Sequence, residues 1–227
     1  MRKFPVLCSV AITALIGAMV VACQSTGSSG ASDPNAKLRV GGPPPSDTPY
    51  RMDNAIQDVM EGIVAPSSDI LFDAVATDIT ASGVNEKKPT TDDDWEKVEH
   101  AAVNLIEAVN MIKMPGRLIA RPGEKTKSEG PDAPELTPEE IAAKINMDRA
   151  KFLNYANTLQ DQAVKTLDII HKKDAQGLFN IGEDIDNACE GCHLEYWYPN
   201  DKQAKAAFEA DQKLRKAEQQ KKEQQGK

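Results

Sequence analysis

The chain has 227 residues, of which 40% are apolar, 27% charged and only 5% aromatic. That is the balance of a globular protein with one medium domain plus appendages. A formal net charge of −8 excludes nucleic acid as a natural partner, because phosphate recognition needs a basic patch.

Residues 1–22 open with Arg2 and Lys3 and continue from Phe4 to Val21 almost without a polar side chain. A basic start, a short apolar stretch and small residues make a secretory signal. Its end, Val20-Val21-Ala22-Cys23, resembles the box of bacterial lipoproteins. That resemblance implies cleavage before Cys23, lipid on its thiol and a membrane-anchored protein facing the periplasm. An ordinary signal peptide or an uncleaved anchor is the alternative. Residues 23–48 are rich in Ser, Gly, Pro, Ala and Asp and read as a flexible tether without a packing pattern.

Residues 49–200 carry four helical segments. The first spans about residues 49–82, with Met52, Ile56, Val59, Met60 and Ile63 on one face. A kink or a break is expected at Pro66, which cannot donate to the Gly62 carbonyl. The pattern resumes with Ile70, Leu71, Val75 and Ile79. The second starts at Asp92-Asp93-Asp94, whose charges complement the helix dipole. Its apolar row is Trp95, Val98, Ala102, Leu105, Val109 and Ile112, and Pro115-Gly116 ends it. A Pro/Gly-rich connection follows over residues 115–136, long enough to be functional. Its first half, 116–121, is placed to fold back over a pocket.

The third helix starts at Thr137-Pro138-Glu139-Glu140, a capping box with proline at the first position. Its row runs Ile141, Ile145, Phe152, Tyr155, Leu159, Ala163, Thr166 and Ile170. The fourth covers about 174–196 with Leu178, Ile181, Ile185, Cys189, Cys192 and Tyr196. Residues 201–227 hold eight Lys or Arg against five Asp or Glu and show no sustained apolar stripe. They read as a solvated helix or a disordered tail, with folding of this basic segment onto the acidic body as the other reading.

Cys189-Glu190-Gly191-Cys192-His193 has the form C-x-x-C-H, the spacing of a c-type haem attachment site. Two thiols can add across the two vinyl groups of a haem while the next imidazole reaches the iron. On a helix, Cys189, Cys192 and His193 project from one face. Other readings are a structural zinc with His100 or His171 as fourth ligand, or a simple disulfide. A thioredoxin-like dithiol would need a βαβ setting, and no strands are evident in the pattern. The remaining histidines otherwise read as surface residues, and Met111 and Met114 as core or pocket wall.

Four amphipathic helices with C-x-x-C-H on the last one resemble the class II c-type cytochromes, the cytochrome c′ family and its low-spin relatives. The resemblance covers about residues 49–198. It implies an all-α, antiparallel four-helix bundle with one covalently bound haem c, and often a homodimer through the first two helices. In cytochrome c′ the first helix offers an apolar residue to the iron, which binds small gases. In the low-spin relatives it offers a methionine, and the protein carries electrons between redox partner proteins. Met60 resembles that ligating position, with Gly62 nearby to let the helix approach the haem. Met52, on nearly the same face, is the runner-up. Arg51, Arg117 and Arg121 are candidates to pair with the haem propionates. The expectation is therefore an exported electron carrier, not an enzyme, with His193 and Met60 as iron ligands. A five-coordinate gas-binding haem protein and a haem-free helical lipoprotein with zinc are the alternatives.

Overall fold

The computed structural model describes residues 33–42, 50–80, 83–126 and 135–225. The segment read as a secretory signal and Cys23 lie outside the described residues. The protein is mostly helical. A first helix is built in three parts: α1 (Ile56–Val59), a π turn (Met60–Val64) and α2 (Ala65–Phe72). A two-stranded antiparallel hairpin follows, β1 (Ala76–Thr80) and β2 (Gly83–Lys87). Then come α3 (Asp92–Lys113), α4 (Pro138–Met147), α5 (Arg149–His171), α6 (Ala175–Tyr196) and α7 (Lys202–Gln225). Among the described residues no helix is long and apolar enough to cross a membrane.

Local chemistry fixes where these helices start. Thr91 accepts the amide of Asp94 at 3.1 Å, while the Asp94 carboxylate takes the amides of Thr90 and Thr91 at 3.0 and 2.9 Å. This capping box satisfies amides that the first turn leaves free. Thr137 and Glu140 repeat the device for α4. Asp174 caps α6 through the amide of Gly177, and a Cβ on Gly177 would lie 2.4 Å from its carboxylate. A larger residue there would push the Asp174 carboxylate off its capping position.

Three departures from the sequence pattern are instructive. The first helix does not reach residue 82: the chain turns into the hairpin after Phe72, so Val75 and Ile79 do not continue it. Threonines and other β-branched residues in 77–84 favour extended backbone. The third predicted helix is two helices, because Asp148 (φ −142, ψ 77) leaves helical geometry and caps α5 through the amide of Lys151 at 2.9 Å. Pro66 does not break the first helix. It sits in the first turn of α2 behind the π turn, where the amide of Ala65 bonds to the Met60 carbonyl five residues back.

Helix α2 packs on α3, α3 on α5, α5 on α6, and α6 returns to α2. Neighbours run in opposite directions. Arg149 at the start of α5 donates to the Lys113 carbonyl at the end of α3 (2.6 Å), and Lys173 after α5 pairs with Asp92 at the start of α3 (2.5 Å). Phe152 and Tyr196 meet edge-to-face at 5.6 Å, joining the start of α5 to the end of α6. The fully buried centre includes Ile56, Leu105, Val109, Ile141, Ile145, Phe152, Ile170 and Ile185.

Part of the stretch read as a tether is docked on this body. Val40 is completely buried, and its backbone exchanges hydrogen bonds with Arg117 (2.9 Å) and Gly116 (2.7 Å). The same connection then supplies the Leu118 and Ile119 carbonyls to the free amides of Ile56 and Gln57, at 2.7 and 3.0 Å. Residues 116–121 therefore fold back as expected, but over the start of α1. They form a clasp with residues 38–40.

Candidate functional site

Cys189, Cys192 and His193 occupy the last two turns of α6, at the clasp end of the molecule. All three are half-buried, with both cysteines packed against the core and neither in a disulfide. The motif therefore borders the buried face rather than lying at its centre; Ile185 and Ala188 are the buried residues there. Burial pushes each thiol up to about 12. The charges of Asp186 and Glu190 add to this at Cys189, and those of Cys189 and Glu195 at Cys192. Reactive dithiols need a lowered thiol pKa and an electropositive setting, so this pair is unsuited to disulfide exchange. Burial also lowers the His193 pKa, against the opposing pull of Glu190 and Asp186. The neutral imidazole is the metal-ligating form. Its ring lies 6.0 Å from the rings of Trp197 and Tyr198, and Tyr198 donates to Glu190 at 2.6 Å.

The face of α6 that looks toward the first helix is defined by Gly182, whose vacant Cβ position is 3.6 Å from the Phe72 ring. Cys189 and His193 fall within about 20° of Gly182 around the helix, so one stripe carries all three. Met60 lies about 18 Å before Phe72 along the first helix, and α6 covers a similar distance from Gly182 to the motif. Because the two helices run in opposite directions, ideal helix rise would set Met60 and His193 at similar heights. In an uninterrupted α-helix Met60 and Phe72 would point about 120° apart. The π turn absorbs one extra residue and removes about 100° of that difference. Met60 opens this turn, whose contacts outside its own helix are with α3. The Met60 side chain is half-buried and packs against the core.

Met52 lies before α1, outside any helix. The shared helical face that made it a runner-up does not exist. The helix starts later because Asp58 takes the amide of Ala55 at 2.8 Å and the clasp supplies carbonyls to the next two amides. Gly62 is exposed, with nothing within 4 Å of a Cβ built there.

The three arginines have different fates. Arg117 is buried, and its guanidinium donates to the carbonyls of Met111 (2.8 Å) and Asn54 (2.7 Å) and to Met114 Sδ (3.5 Å). It is committed to pinning the clasp, which leaves no free fork for a propionate. Arg121 grips Asp58 through two contacts of 2.9 and 3.1 Å, close in sequence to Met60. Arg51 is exposed and pairs with Asp53 at 2.8 Å. His100 and His171 are surface residues beside Glu96 and Glu99.

The residues at the clasp end fit a covalently held haem. Both thiols are free, half-buried and packed against the core. The Tyr196 hydroxyl, one turn beyond Cys192, is buried without a hydrogen-bond partner, as an incoming polar or carboxylate-bearing group would require. Zinc fits less well: among the described residues no three His, Cys, Asp or Glu side chains converge on a point that a metal could occupy. A cavity of about 600 Å³, bordered by Phe72, Phe179, Gly182 and Arg215, lies farther down α6 and does not include the motif.

Comparison of the chain with protein-family models, with curated proteins and with solved structures returned no match.

Proposed function

We propose that this chain is an exported c-type haem protein of the class II kind, a four-helix bundle that carries single electrons. The helices are α1–α2, α3, α4–α5 and α6. Cys189 and Cys192 would hold the haem as thioethers, His193 the iron on one side and Met60 on the other. When bound, the haem supplies one reversible electron, and a His/Met pair favours the reduced state. What supports the reading is the C-x-x-C-H spacing with both thiols free on the last two turns of α6, together with a π turn that begins at Met60. Such turns are enriched at functional sites.

The chain's own residues define the surroundings. Trp197 and Tyr198 flank the imidazole, burial keeps it neutral, and Arg121 holds Asp58 beside the π turn. Lipid at Cys23 and a periplasmic location follow from the leader sequence and belong to the same proposal, as do redox partner proteins and the absence of enzymatic chemistry.

Absorption spectra of the oxidised and reduced protein test this directly. A low-spin haem c spectrum is expected, and Met60→Leu should turn it high-spin. An unchanged spectrum in that variant removes Met60 from the site. Rapid carbon monoxide binding by the untreated reduced protein would instead establish a five-coordinate gas-binding haem.

A further inference from the structure

The basic tail is helix α7, and it lies along α6, with Arg215 bordering the same cavity as Phe72 of the first helix. Its contacts follow α6 at steps of one helical turn. Arg215 pairs with Glu183 at 2.6 Å and with Asp184, and Gln212 donates to Asn187 at 2.6 Å. The Phe208 ring comes within 3.4 Å of the vacant Cβ position of Gly191. Gly191 lies between the two cysteines of the motif. The same vacant position is 3.6 Å from the Tyr155 ring of α5. Phe208 and Tyr155 thus close on one small residue from two sides.

Tyr155 in turn stands edge-on to Tyr196 at 5.9 Å. Burial and the Glu195 charge raise its phenol pKa. Phe208 and Ala204 are half-buried, whereas the last turns of α7 carry mainly Gln, Lys and Glu. The helix is therefore held by a few contacts, and the one nearest the motif is apolar.

We propose that Phe208 is a positioning residue for the C-x-x-C-H site, closing with Tyr155 over Gly191 and excluding water from the neighbouring second thiol, with Arg215 as the latch that keeps α7 in place. The exclusion of water from the thiol stands on packing alone. Its consequence for electron transfer rests on the haem reading, since a drier shell around a haem raises its reduction potential by disfavouring the more charged oxidised state.

The test uses full-length, exported protein carrying Phe208→Ala, Phe208→Leu or Arg215→Gln. If the protein bears haem, Phe208→Ala should lower its reduction potential, Phe208→Leu should largely restore it, and Arg215→Gln should move it in the Phe208→Ala direction. If the protein is colourless, the haem reading fails while the packing proposal remains open to test by maleimide labelling. Labelling of Cys192 should then accelerate about tenfold in Phe208→Ala with Cys189 little changed, since reactivity follows local exposure. Unchanged potentials in the haem protein, or labelling that is unchanged or equally faster at both cysteines in the colourless one, would overturn it.

Discussion

At the scale of single residues, the buried cation Arg117 is the clearest case of a side chain whose role is set by its partners. Sequence context made it one of three equivalent candidates for a propionate. Its guanidinium is instead wrapped by the carbonyls of Met111 and Asn54, joining the end of α3 to the entry of the first helix. Burial lowers its pKa, yet an arginine stays charged. Arg117→Ala would strand those carbonyls, and charge-assisted bonds of this kind are worth about 1.5–3 kcal/mol each. A loss of about 3 kcal/mol is expected in denaturant unfolding. A variant with wild-type stability would show that the carbonyls find other donors. Met60 makes the complementary point: periodicity put it on the first helix, but the π turn that begins there was not visible in the pattern.

Among elements, α3 was the most legible because its signals are local. The Asp92-Asp93-Asp94 start, the threonine cap and the apolar row each act within one or two turns. Hydrogen bonds from the Thr90 and Thr91 amides hold the Asp94 carboxyl at about 2, below its ordinary 3.8. A depressed folded-state pKa stabilises the protein above the unfolded-state value, and that contribution disappears as pH falls through the folded one. Asp94→Asn should therefore be less stable at neutral pH, with the gap to wild type closing between about pH 4 and pH 2. Thermal melts across that range give the answer, and a constant gap would show that the carboxylate charge contributes nothing. The α4–α5 break and the hairpin were less legible. Apolar residues continue across Asp148 and across Val75 to Ile79 in nearly helical steps, so periodicity alone hid both changes of backbone.

For the whole molecule, the described residues form one helical body closed at one end by the clasp and covered along α6 by α7. Residues 33–42 look like linker by composition, yet Leu38 and Val40 are buried and Gly41 donates to Asn146 at 2.7 Å. Deleting residues 24–48 should therefore lower the melting temperature by several degrees, since a loss of about 1 kcal/mol shifts a midpoint by roughly 2–4 °C in a domain of this size. A flexible tether would leave it unchanged. Calorimetry on the two forms separates these outcomes.

What the sequence determined by itself is chemistry and local order: the C-x-x-C-H spacing, the helix caps and the apolar rows of the long helices. Those features act between neighbours a few residues apart, so they can be read without knowing the fold. Tertiary structure alone decided that Val40 belongs to the body, that Met52 does not share a helix with Met60, and that Phe208 lies against Gly191. Each depends on a partner far away in the chain. Helix α7 carries few apolar residues of its own, so its order comes from the surface that receives it, while the apolar residues of the clasp are too short a run to show a period.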